Sequence, residues 1–174
     1  MELNVARELK LPGEVSRVSF IEELAPIELP GHVIRPCAPA ELEFDYSFDG
    51  EGFRLSGTFA CAVRMNCTKC DKEFTQSFTV PFEERFLRVT EQEAEELECY
   101  PFTGETLKLD RLVQDLMLLN APMYGLCKPD CRGLCPVCGA NLNHTQCSCT
   151  LPGEGNPFAA LKGLAELLKE DQED

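Results

Sequence analysis

Eleven cysteines stand among the 174 residues, and eight of them fall at spacings that suit metal ligation. Cys67 and Cys70 form one C-x-x-C pair, Cys135 and Cys138 a second, Cys127 and Cys131 are separated by Lys128, Pro129 and Asp130, and Cys147 and Cys149 flank Ser148. A closed tetrahedral zinc site takes four thiolates, so eight cysteines supply two such sites. In Cys135-Pro136-Val137-Cys138-Gly139 the two intervening residues let both sulfurs face one ion, and the glycine permits a positive φ just behind the turn. This is a zinc-knuckle pattern. Cys147 and Cys149 project to one side of an extended segment and can complete that ligand set locally. Cys67 and Cys70 then combine with Cys127 and Cys131. In the alternative partition the two C-x-x-C pairs share one ion, as in a zinc ribbon, and Cys127, Cys131, Cys147 and Cys149 take the other. His144 could replace a thiolate, but eight sulfurs already satisfy two ions, so a loop role suits it better. Cys61 lies on an apolar strand face and reads as core, while Cys37 and Cys99 carry no spacing signal.

Other sulfur chemistries fit less well. Cys131-x3-Cys135-x2-Cys138 has the spacing of a radical Fe–S cluster motif, but only 36 residues follow Cys138 to build a substrate pocket. A thioredoxin-type reading needs a βαβ setting, whereas these pairs occupy a hairpin tip and a Gly/Pro-rich loop. Hydrolysis at zinc needs an open coordination position, which four thiolates close. No catalytic group is evident. An Fe–S or redox-active cysteine enzyme is therefore the alternative, and a zinc-stabilised protein-interaction adaptor the second.

Alternation of apolar and polar residues defines the elements that must carry these thiols. Leu42, Phe44, Tyr46 and Phe48 alternate with Glu41, Glu43, Asp45 and Ser47 up to the Asp49-Gly50 turn signal; Phe53 through Met65 continue the pattern, with Gly57 as a bend; Phe74, Phe78, Val80 and Phe82 form the returning strand. The first C-x-x-C thus sits at the tip of a β-hairpin. Leu3–Leu11 and Val15–Leu24 are weaker strand pieces assigned to the same sheet. Glu91–Glu98, with five glutamates in eight residues, reads as an acidic loop. Asp110 is expected to cap a helix whose stripe is Leu112, Val113, Leu116 and Leu119, ended by Pro122. Asn156-Pro157 starts a C-terminal helix with Phe158, Leu161, Leu164 and Leu168 on one face. Residues 121–155 lack apolar periodicity, so a metal must order them. The fold class expected is α+β: an antiparallel β-sheet or meander with a central helix, a cysteine-rich zinc-knuckle segment and a C-terminal helix. Its divisions are 1–120, 121–155 and 156–174.

The net charge of −14 disfavours a protein that simply coats a nucleic-acid backbone. The charge is uneven: stretches 61–90 and 107–150 hold nine Lys and Arg against seven acids. Arg64, Lys69, Lys72, Lys128 and Arg132 cluster around the thiols and are the candidate partner-binding residues, with Tyr124 as a candidate stacking ring. The opening MELNVARELK has no apolar signal region, and no apolar run approaches a membrane span, which leads to a cytosolic expectation.

The ordered set of motifs resembles the YceD family, the bacterial large-subunit ribosomal RNA accumulation proteins. The matching pieces are Cys67-Thr68-Lys69-Cys70 after a strand, the Leu-rich helix ending near Pro122, the run from Cys127 to Asn143 containing Cys-Pro-Val-Cys-Gly, Cys147-Ser148-Cys149, and Asn156-Pro157-Phe158-Ala159-Ala160-Leu161. The resemblance implies a non-enzymatic, cytoplasmic ribosome biogenesis factor that supports accumulation of large-subunit rRNA. Its partner would be an rRNA precursor, touched through the basic residues, or a basic ribosomal protein held by the acidic surface. It leaves residues 1–40 unplaced.

Overall fold

The structure, a computed structural model, describes residues 1–30 and 32–149. Met1–Cys127 forms one compact unit, and a second begins at Lys128. In the first unit the strands are β1 (Glu2–Asn4), β2 (Val15–Glu22), β3 (Ile27–Leu29), β4 (His32–Pro36), β5 (Ala40–Phe48), β6 (Gly52–Asn66), β7 (Glu73–Leu87), β8 (Tyr100–Pro101) and β9 (Thr106–Lys108); the helices are α1 (Glu91–Glu96) and α2 (Asp110–Asn120). The fold is thus mostly antiparallel sheet with few helices.

β6 organises the sheet. Its first half pairs with β5 from Phe53 opposite Phe48 to Ala60 opposite Glu41, and its whole length pairs with β7 from Gly52 opposite Leu87 to Asn66 opposite Glu73. Beyond the end of β5, β4 pairs with the same edge of β6 at Arg35–Arg64 and Pro36–Val63. β2 flanks β5, β3 flanks β4, and β8 runs parallel to the end of β7. Alternation puts Leu42, Phe44, Phe53, Leu55, Phe59 and Phe86 on the inner face, each buried, against Leu112, Val113, Leu116 and Met117 of α2. Cys61 is buried on this face, where loss of water pushes its thiol above the ordinary range.

Several expectations are corrected. Leu3–Leu11 does not join the main sheet: among the described residues β1 pairs only with β9, and a 3-10 turn follows at Glu8–Lys10. Val15–Leu24 does join it, as β2. The glutamate-rich stretch is a helix rather than a loop, because Thr90 accepts a hydrogen bond from the Glu93 amide while the Glu93 carboxylate accepts one from the Thr90 amide, a capping box. Asp110 does not cap α2. Leu109 occupies that position with no side-chain cap, and the Asp110 carboxylate instead accepts from the Met1 ammonium at 2.6 Å. The returning strand runs five residues past Phe82, to Leu87. Gly57 is needed for close approach rather than as a bend: a Cβ there would lie 2.1 Å from the Glu43 carbonyl oxygen and 2.5 Å from the Phe44 Cα. The helix expected from Asn156 lies outside the described residues.

Glu8 is the buried charged side chain among the described residues, and it accepts hydrogen bonds from the Ser16 and Tyr46 hydroxyls at 2.9 and 3.2 Å. Burial, then the adjacent Glu8 charge, pushes the Tyr46 phenol upward. Glu8→Ala removes the acceptor of both hydroxyls and is expected to cost about 1–3 kcal/mol. Urea unfolding checks this, and an unchanged midpoint would show that water takes over both hydrogen bonds.

Candidate metal centres

The sulfurs of Cys67, Cys70, Cys127 and Cys131 all lie within 4.8 Å of one another, and so do those of Cys135, Cys138, Cys147 and Cys149. The grouping is the locally closing one; the described residues do not bring the two C-x-x-C pairs onto one centre. Zn–S distances of about 2.3 Å in a tetrahedron place sulfurs roughly 3.8 Å apart. The Cys70 and Cys127 sulfurs are 3.6 Å apart, close to that spacing. Two groups of four cysteines could therefore hold metal ions.

Both C-x-x-C segments close in the same way. The Cys67 amide donates to the Lys72 carbonyl and the Asp71 amide to the Cys67 carbonyl; the Cys135 amide donates to the Ala140 carbonyl and the Gly139 amide to the Cys135 carbonyl. In each, the residue after the second cysteine takes a left-handed conformation, Asp71 at φ 57° and Gly139 at φ 72°. The sequence signalled the second turn through Gly139 and concealed the first, because Asp71 tolerates the same backbone. Amides then point at sulfur. The Cys127 amide, followed by those of Lys69 and Cys70, holds the Cys67 thiol down to about 6, and the Cys138 and Val137 amides hold Cys135 down to about 6. Cys149 moves the other way, to about 12, by donating its proton toward the Cys138 sulfur. Thiolate-favouring and proton-sharing sulfurs side by side suit a divalent cation that takes the place of the protons.

Backbone contacts place Cys127 beside the hairpin tip. The Thr68 amide and hydroxyl both donate to the Gly125 carbonyl, at 3.0 and 3.2 Å. A Cβ at Gly125 would lie 2.8 Å from the Gln76 Oε1 and 2.9 Å from the Phe74 ring, so those side chains would have to shift to admit it. From Lys128 onward, a small turn is built by the Leu134–Asn141 bridge and the Leu142 amide donating to Gly133. Asn143 accepts from the Arg132 amide and donates from Nδ2 to the Cys131 sulfur at 3.4 Å, an outer contact on a candidate ligand that the sequence did not single out. His144 is exposed and belongs to neither group. Cys37 and Cys99 are half-buried and also outside them.

The basic candidates are exposed. Arg64 lies 3.7 Å from Glu73, Lys128 lies 3.5 Å from Asp130, and Lys69, Lys72 and Arg132 face solvent. Tyr124 is 79% exposed, as a stacking ring would have to be. Among the described residues no helix is long and apolar enough to cross a membrane.

A Cβ at Gly139 would meet nothing within 4 Å, so Gly139→Ala probes the backbone alone. Its positive φ predicts a loss of about 1 kcal/mol in thermal unfolding, whereas no loss would mean that the turn relaxes to another conformation.

Comparison with known proteins follows this geometry. The profile described as "Large ribosomal RNA subunit accumulation protein YceD" matches residues 55–165. This span is well over half of the sequence and takes in both groups of thiols, so the chain belongs to the YceD family. An uncharacterized protein of Mycobacterium tuberculosis is 29% identical over 146 residues, 82% of this chain and 70% of that protein. The Zea mays protein named "Large ribosomal RNA subunit accumulation protein YCED homolog 1, chloroplastic" is 24% identical, over 75% of this chain and 55% of its own length. Its Arabidopsis thaliana namesake is 20% identical, over 77% and 51%. No solved structure matches. The family's name points to accumulation of large-subunit ribosomal RNA rather than to catalysis.

Proposed function

We propose that this chain is a non-enzymatic ribosome biogenesis factor that acts in the cytoplasm by binding, and that two zinc ions brace the surface it binds with. The observation that carries this reading is the family match across residues 55–165. The two four-thiol groups support the zinc, each offering a closed, all-sulfur donor set with no position for a reacting water. In this reading Cys67, Cys70, Cys127 and Cys131 hold one ion and Cys135, Cys138, Cys147 and Cys149 the other. Each ion fixes its loops and performs no reaction. Arg64, Lys69, Lys72, Lys128 and Arg132, all exposed near candidate ligands, supply local positive charge for an rRNA precursor on a protein whose net charge is −14.

Co-sedimentation with large-subunit precursor particles at several salt concentrations tests the proposal. Association that weakens steeply with salt is expected for direct RNA contact. Lys128→Glu combined with Arg132→Glu should lower the bound fraction several-fold at moderate salt, and unchanged binding would place the contact elsewhere. Absence of the wild-type chain from precursor fractions at every salt concentration would overturn the assembly role.

A further inference from the structure

Two pairs of arginines face each other across the strands of β6, and they differ in what surrounds them. Arg54 lies directly opposite Arg85, and each has its own carboxylate, Glu83 at 3.5 Å and Asp49 at 3.6 Å. Arg35 lies directly opposite Arg64. Arg64 is near Glu73, but Arg35 makes no ion pair among the described residues. Like charges directly opposite on an antiparallel pair destabilise it, and here a carboxylate offsets that cost at Arg64 alone, leaving Arg35 without one among the described residues. An anion bridging the two guanidiniums would turn the repulsion into two charge-assisted contacts.

The surroundings favour a polyanion with bases attached. A cleft of about 560 Å³ opens beside the pair, lined by Arg35, Arg64 and Asn66 together with Leu29, Val33 and Met123. β4 and the stretch from Arg64 to Glu73 carry Arg35, Arg64, Lys69 and Lys72 against Asp71 and Glu73, a net positive end on a strongly acidic chain. Asp71 is already engaged by the Asn66 amide at 2.9 Å.

We propose that Arg35 and Arg64 form a phosphate clamp for the backbone of single-stranded RNA, with the apolar wall of the cleft at Leu29, Val33 and Met123 receiving an adjacent base. This rests on the RNA-contacting reading above and adds Arg35, which cysteine spacing gave no reason to select. The two guanidiniums hold phosphate oxygens by bidentate donation, and the apolar wall tolerates any base.

The test uses the full chain, loaded with zinc, and a fluorescently labelled single-stranded RNA of about 12 nucleotides, followed by anisotropy over a salt series. Arg35→Gln with Arg64→Gln should weaken binding at least about tenfold at low salt and flatten the plot of log affinity against log salt by about 1.4, two contacts at about 0.7 each. Arg54→Gln with Arg85→Gln removes the same charge and should leave affinity within about twofold, because those arginines are already neutralised. Equal weakening by both pairs would overturn the clamp in favour of diffuse attraction, and so would equal binding by wild type and the Arg35/Arg64 variant. Competition by inorganic phosphate at equal phosphate concentration would assign the site to small anions and overturn it. So would a poly-glutamate peptide bound with the same arginine dependence, which would move the site to acidic proteins. A wild type that binds no RNA overturns the clamp; co-sedimentation with precursor particles then decides separately whether the assembly role survives.

Discussion

A strong chelator at neutral pH is expected to remove the proposed zinc ions, to unfold residues 128–149 and to fray the β6–β7 hairpin tip, while the inner sheet stays folded. The asymmetry follows from where apolar surface is buried. The sheet unit buries large side chains such as Phe44, Phe53, Phe59 and Phe86 and has α2 packed over them. In the described residues beyond Lys128, the buried hydrophobic side chains are those of Cys131 and Cys135, both candidate ligands. A segment without an apolar core cannot offset the roughly 1–2 kcal/mol per residue of backbone entropy that ordering costs. A structural zinc contributes about 10–16 kcal/mol apparent at neutral pH, as much as the total stability of an ordinary domain. Amide hydrogen exchange before and after chelation reads the effect segment by segment. Protection of residues 133–142 should disappear and protection around Phe59 should persist; undisturbed exchange at Cys135 and Ala140 would show that the loop is held by something other than metal.

Gly57→Val should be among the most damaging single changes outside the cysteines, at about 3 kcal/mol or more. Gly57 occupies the middle of β6 with a strand on either side, opposite Phe44 on β5 and Phe82 on β7. The atoms its new Cβ would strike are the Glu43 carbonyl oxygen at 2.1 Å and the Phe44 Cα at 2.5 Å, both backbone. Backbone in a paired strand cannot rotate aside as a flexible side chain can, so the β5–β6 ladder must separate locally. The urea midpoint is expected to fall by about 1 M or more. Ser56→Val, one residue away on the exposed face, places the same final side chain there and should be close to neutral. Equal effects at the two positions would contradict the packing argument.

The sheet's centre was legible because its residues obey period-two alternation from Leu42 to Phe82, and the ladder follows that alternation residue by residue. The edges were harder. β3 and β4 are short and flank prolines, so too few alternating positions exist to reveal a strand, and β1 pairs with β9 across a sequence separation that no local pattern encodes. At Glu91–Glu98 charge density suggested a loop, yet the Thr90/Glu93 capping box satisfies the first amides and tips the balance toward helix. At Asp110 an acid before an apolar stripe looked like a cap, but the helix starts one residue earlier than that reading needs, with Leu109 at the cap position, and the Asp110 carboxylate is taken by the Met1 ammonium. The thiols were legible because ligand spacing is a local property. The matching turn at Cys67–Lys72 was less so, because Asp71 takes the left-handed backbone that a glycine would have advertised.

Metal stoichiometry and ligand identity on the purified chain test the central claim most directly. X-ray absorption at the zinc edge, with elemental analysis of wild type and of Cys70→Ser and Cys138→Ser, should give two zinc ions per chain, each with four sulfur neighbours. Each variant should weaken or lose one ion and leave the other in place. A single ion drawing on both C-x-x-C pairs, nitrogen or oxygen ligands in the shell, or no bound metal at all would contradict the account.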